Sequence, residues 1–160
     1  MGMHAHCVVI EEDPDIRSLL SLALSRAGFN VKTESTGAAG INAVAEDKNL
    51  GLVTVDVALH DLEGNDVLHA LRGVSRAPIL VISARAEPVD RLAALESGAS
   101  AYLTKPFRLR DLQDLVHTLA PANVAPGSKL PRSRLNAESS DYARRRDTSW
   151  SKAPKRTPGP

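Results

Sequence analysis

Five polar residues in this sequence could do chemistry together, and each stands at the end of a short apolar run. Glu11 and Glu12 follow the run at 7–10, Asp56 lies at the end of the run beginning at Leu50, Ser83 follows 79–82, and Lys105 with Pro106 follows 101–103. Carboxylates gathered in one place repel one another, and at neutral pH they need a cation or raised pKa values. Oxygen-only ligands suit a hard ion, and Mg2+ is commonly held by one or two carboxylates together with phosphate and water. A lysine and a hydroxyl facing the same spot would neutralise and hydrogen-bond a phosphoryl group. The set therefore describes an anion carried on a carboxylate beside a divalent metal.

Whether these residues meet depends on the elements that carry them. After the strand at 7–10, Ile16, Leu19, Leu20, Ala23, Leu24 and Ala27 keep a 3.6-residue period until Gly28 stops the helix. A weak strand at 30–34 leads to Thr36, which caps a helix to about Asp47 that turns Ile41, Val44 and Ala45 inward. The run 50–57 reads as the most buried strand and ends in a polar loop at 60–64; 65–72 is helical, and 79–82 is a strand. A helix over 88–97 stops at Gly98, 101–103 is a short strand, and Leu109, Leu112, Leu115, Val116 and Leu119 give the last helix its apolar face. Five strand–helix repeats make an α/β fold, a doubly wound parallel sheet with helices on both faces, since a barrel needs about eight strands. With strand order 2-1-3-4-5, the ends of strands 1, 3, 4 and 5 lie side by side at the place where open α/β sheets bind ligands.

Composition bounds the rest. The 160 residues are 42% hydrophobic but only 3% aromatic, so the core must be aliphatic. Cys7 is the single cysteine and cannot form an internal disulfide; with His4 and His6 it lacks a fourth ligand for a metal site. His60, His69 and His117 are expected in solvent. No apolar stretch approaches the roughly 20 residues that span a bilayer, and the start, MGMHAHCVVI, lacks the features of a signal peptide. A cytoplasmic protein with no membrane segment is expected. Residues 1–120 carry a net charge of −5 and residues 121–160 a net charge of +6. The latter stretch is rich in Pro, Ser and Arg without apolar period, so the expected organisation is a domain at 4–120 followed by a basic, disordered tail at 121–160.

Four segments, VVIEEDPDIRSLL, LVTVDVALHDLEG, APILVISARAE and GASAYLTKPF, resemble the signature blocks of bacterial response-regulator receiver domains, in order and over about residues 7–107. The resemblance implies that Asp56 accepts a phosphoryl group from a histidine kinase or a phosphotransfer protein, with Glu11, Glu12, Asp56 and the backbone carbonyl of Ala58 around Mg2+. It also implies that Ser83 contacts a phosphoryl oxygen, that Lys105 pairs with its charge, and that Tyr102 swings inward as Ser83 is drawn to the phosphate. Pro106 follows a peptide bond that is often cis in this family. Such a chain is a phosphoacceptor, with self-catalysed phosphotransfer and dephosphorylation, rather than a conventional enzyme. A downstream protein partner at the 87–119 face, or a homodimer through it, follows from the same resemblance.

Two positions depart from the family pattern. The second acidic residue is almost always Asp, whereas here Glu12 carries its carboxylate one methylene further out, and Mg2+ demands near-ideal octahedral geometry. The acidic residues that precede the tyrosine in relatives dimerising through the last helix–strand–helix face are replaced by Ser100 and Ala101. The 40 residues at 121–160 are too few for a winged helix, so a stand-alone or truncated receiver is expected, with DNA binding disfavoured. Two other readings stay open: a degenerate receiver acting as a phosphorylation-independent interaction module, and a DNA-binding regulator, either truncated or using its basic tail.

Overall fold

The computed structural model describes residues 4–120; the tail expected at 121–160 lies outside the described residues. Strands β1 (His6–Ile10), β2 (Asn30–Glu34), β3 (Leu50–Val55), β4 (Ile79–Ser83) and β5 (Ala101–Thr104) alternate with helices α1 (Pro14–Arg26), α2 (Gly37–Glu46), α3 (Gly64–Val74), α4 (Pro88–Glu96) and α5 (Leu109–Leu119). The strands form one parallel sheet in the order β2-β1-β3-β4-β5, as expected. Because β2 and β3 lie on opposite sides of β1, the chain reverses its direction of travel across the sheet there, and a crevice opens at the carboxyl ends.

Strand side chains alternate between two cores. Val8, Ile10, Val53, Val55, Ile79, Val81 and Tyr102 pack with residues of α2, α3 and α4. Cys7, Val9, Leu52, Leu80, Ile82 and Leu103 pack with residues of α1 and α5. The Cys7 thiol is completely buried, which holds its pKa far above the ordinary range and leaves it inert.

Local chemistry sets the helix ends. The Asp13 carboxylate accepts from the N–H groups of Asp15 and Ile16 at the start of α1, where Pro14 needs no partner for its missing N–H. Thr36 caps α2 through Ala39, as its type predicts. Gly28 and Gly98 follow α1 and α4 with φ of 103° and 117°, a conformation that side chains disfavour, which is why both stop signals work.

Four expected core assignments change. α2 buries Gly37, Gly40, Ala43 and Val44, while Ala45 is exposed and Ile41 only partly covered. The cause is Gly40, which lies so close to Ile10 that the helix packs through its glycine side and rotates Ala45 away. Leu19 and Leu109 are likewise largely exposed, at the margins of the apolar stripes on α1 and α5. Gly64 lies against Val57 at the start of α3, where an added Cβ would come within 2.7 Å of the Val57 Cβ and carbonyl oxygen. Gly64→Ala is expected to lower unfolding free energy by about 1–3 kcal/mol through overpacking, measured by urea denaturation.

Candidate functional site

The strand alternation continues past the last ladder residues and decides which groups meet. Glu11 donates its N–H to Glu34, Asp56 to Ile10, and Lys105 to Ser83, so each extends a ladder by one residue. Glu11 therefore keeps step with Cys7 and Val9, Asp56 with Leu52 and Thr54, and Lys105 with Leu103, all on the α1/α5 side. There they converge. The Lys105 ammonium donates to Glu11 Oε2 at 2.9 Å and to Asp56 Oδ2 at 2.8 Å. The side chains of Glu11, Asp56 and Lys105 are 3%, 12% and 13% exposed. Asp56 Oδ1 accepts from the Ala58 N–H at 2.8 Å, and Glu11 Oε1 accepts from the Asp13 N–H at 3.2 Å. The Lys105–Pro106 bond is cis.

Two carboxylates thus share one ammonium in a largely dry place. Burial pushes the Glu11 carboxyl above its usual range, against the opposing pull of the Lys105 hydrogen bond. Burial alone would lower the Lys105 pKa, but its hydrogen bonds to Asp56 and Glu11 outweigh that and hold it above the ordinary lysine value. The cluster has a deficit of positive charge, and its free valence is oxygen. Glu11 and Asp56 therefore fit a hard divalent ion in chemical type.

Glu12 is placed differently from the expected convergence of three carboxylates. Its two oxygens meet the backbone N–H and the Nδ1 of His60. Among the described residues, no three His, Cys, Asp or Glu side chains stand together as a metal-holding group. The reason is the alternation that brings Glu11 inward, because the next residue turns its carboxylate away. The His60 hydrogen bonds hold the Glu12 carboxyl below its usual range, and Glu12 in turn raises the His60 pKa. His60 is in solvent, as expected, with a side chain 93% exposed, but it is paired. Nothing in the sequence reading singled it out.

Ser83 and Tyr102 belong to the other side of the sheet. Ser83 is completely buried and its Oγ accepts from the Arg85 N–H at 3.2 Å. The Tyr102 ring is buried, and its hydroxyl donates to the Arg85 carbonyl at 2.6 Å. Burial raises the Tyr102 pKa, so the hydroxyl remains a donor at neutral pH. Tyr102 is thus turned inward here.

The raised Glu11 carboxyl has a definite consequence for stability. The folded state holds this proton more readily than the unfolded chain, so the stability linked to it is full below the unfolded value and is lost as pH rises through the folded one. Glu11→Gln, permanently neutral, is expected to flatten the stability profile as pH rises from the ordinary glutamate range, read from urea unfolding at a series of pH values.

Comparison with known proteins agrees with this fold. The family described as the response regulator receiver domain matches residues 7–117. The transcriptional regulatory protein KdpE of Mycobacterium tuberculosis (strain ATCC 25618 / H37Rv) is 38% identical over 118 residues, covering 74% of this chain and 52% of KdpE. The chain spans about half the length of the curated relatives it matches. Among solved structures, the Vibrio cholerae chemotaxis protein CheY4 superposes with a TM-score of 0.68 at 22% identity, covering 73% of this chain and 99% of CheY4. The receiver domain of the sensor histidine kinase PA1611 from Pseudomonas aeruginosa PAO1, which has a magnesium ion coordinated in its active-site cleft, gives 0.66 at 22% identity, covering 73% of this chain and 98% of that domain. The family match at residues 7–117 covers the stretch that carries Glu11, Asp56 and Lys105 to the carboxyl edge of the sheet, and the chain belongs to the response regulator receiver domain family of two-component signalling.

Proposed function

We propose that Asp56 is the phosphoacceptor of this receiver and that a histidine kinase or phosphotransfer protein is its donor. The observation that carries the reading is the Asp56 carboxylate at the carboxyl end of β3, held by the Lys105 ammonium beside Glu11. A carboxylate oxygen attacks phosphorus, the phosphorus–nitrogen bond of a phosphohistidine breaks, and the imidazole nitrogen leaves with the electron pair, giving an acyl phosphate. Lys105 sits where it can pair with the transferred charge, and the Ala58 N–H orients Asp56 through Oδ1. Glu11 and Asp56, with the Ala58 carbonyl, would hold Mg2+, which when bound supplies positive charge to the transferring group. The phosphoryl group adds roughly −1.5 to −2 charge, and Ser83, on the neighbouring strand, supplies the hydroxyl that would turn toward it.

The output in this reading is a protein partner, or a second copy of the chain, on the α4–β5–α5 face. Val89, Leu92 and Leu95 lie exposed along α4 and Leu109 on α5, with Val89 69% exposed. The Ser100 hydroxyl accepts from the Ile79 N–H, so the residue in place of an acidic one serves the fold.

Intact mass after incubation with a small acyl-phosphate donor and Mg2+ tests the reading. The wild type is expected to gain one phosphoryl group, and Asp56→Asn and the chelated wild type to gain none. A folded wild type that gains nothing with any donor would move the assignment to a phosphorylation-independent interaction module. Val89→Asp combined with Leu92→Asp is expected to leave phosphorylation intact and abolish phosphorylation-dependent self-association or partner binding, followed by analytical ultracentrifugation and pull-down.

A further inference from the structure

The loop between β1 and α1 is pinned at several points. The Arg17 guanidinium donates to the carbonyls of Glu11 at 3.0 Å and Glu12 at 3.3 Å, Glu11 extends the ladder to Glu34, and Asp13 caps α1. The direction in which Glu12 leaves the backbone is therefore set by its surroundings. Across the crevice, the loop from Asp56 to Gly64 is fastened on two sides. Glu12 accepts from the His60 N–H and meets its ring nitrogen, while the next residue, Asp61, accepts from the N–H groups of Gly37 and Ala38 at 2.9 and 3.0 Å. Ala58 lies between Asp56 and these fastenings and donates its N–H to Asp56 Oδ1.

We propose that Glu12 is a positioning residue that clamps the β3–α3 loop through His60, and that it is not a ligand of the divalent ion. This rests on the reading of Asp56 as a metal-assisted phosphoacceptor. Both Glu12 oxygens are engaged, and turning toward Asp56 would strip the His60 N–H and ring of their partner together. Mg2+ needs no third carboxylate, since one or two with water and phosphate suffice. Glu11 and Asp56 already stand side by side with a deficit of positive charge. The substitution of Glu for the family's Asp then converts a metal ligand into a strut, and the loop bearing Ala58 is braced by protein before any metal binds.

Three measurements on the full chain test this. Calorimetric Mg2+ titrations without phosphodonor are expected to show affinity weakened about tenfold or more in Glu11→Gln and Asp56→Asn, but by no more than about threefold in Glu12→Gln, which loses only a screened charge. Amide hydrogen exchange across 57–63 is expected to speed up roughly three- to tenfold in Glu12→Gln, in His60→Ala and in Glu12→Asp, whose shorter side chain keeps the charge but loses the reach. At saturating Mg2+, phosphorylation by a small acyl phosphate is expected to slow by a similar factor of about three to ten in Glu12→Gln and His60→Ala, with the Mg2+ concentration for half-maximal rate unchanged. Mg2+ affinity lost in Glu12→Gln as severely as in Glu11→Gln makes Glu12 a ligand and overturns the proposal. Unchanged exchange in all three clamp variants overturns it as well, and so does an unchanged rate. A wild type that binds no Mg2+ removes the phosphoacceptor reading on which the metal half rests, and that half is then overturned, while the exchange data alone support or sink the clamp.

Discussion

A single ammonium group lies between two carboxylates that reach it from separate strands. Glu11 comes from the end of β1, Asp56 from the end of β3, and Lys105 from the end of β5, 94 residues from Glu11 in sequence. Each is more than four-fifths buried, and each would be costly there alone, because a desolvated charge without a partner is strongly unfavourable. The sheet must deliver all three at the correct height and on the same side. Parallel pairing in the order β2-β1-β3-β4-β5 does this, since every strand then ends at one edge. Two largely aliphatic cores hold the sheet between its helices. The polar edge is tolerable because so much apolar surface is buried beneath it.

Much of this was legible in the residues. The apolar runs and the 3.6-residue patterns located all ten elements, and Gly28, Gly98 and Thr36 marked helix ends through mechanisms the structure displays. Glu11, Asp56, Ser83 and Lys105 were found because a polar residue directly after a buried strand has few places to go. What was missed follows from interactions that a local pattern does not carry. The helical period gives a stripe but not its centre, so Ala45 was placed inside and Ala43 was not. Only the close approach of Gly40 to Ile10 settles that rotation. Arg72, whose guanidinium bonds to the carbonyls of Gly98, Ala77 and Ser75, ties the end of α3 to the turn before β5 and leaves no trace in sequence spacing.

Glu12 is the most instructive case. Gathering acidic residues by proximity in sequence puts Glu11 and Glu12 at one site. The two-residue alternation of an extended chain assigns them to opposite sides, and the bond from the Glu11 N–H to Glu34 carries the ladder as far as Glu11. The signal that could have separated them was present, and applying the strand rule two residues past the end of β1 at Ile10 would have found it. His60 is harder, because its partner is 48 residues away and neither residue is buried.

The two sides of the sheet do different jobs, and they are joined by very little. The charged cluster occupies the α1/α5 side, whereas Ser83 and Tyr102 keep step with residues packed under α4. The Lys105 N–H donates to the Ser83 carbonyl at 2.8 Å, and Tyr102 donates to the carbonyl of Arg85, two residues beyond Ser83. Lys105 and Ser83, whose side chains serve opposite faces, therefore meet through a single backbone hydrogen bond, so the two faces share one rim at the carboxyl edge of the sheet.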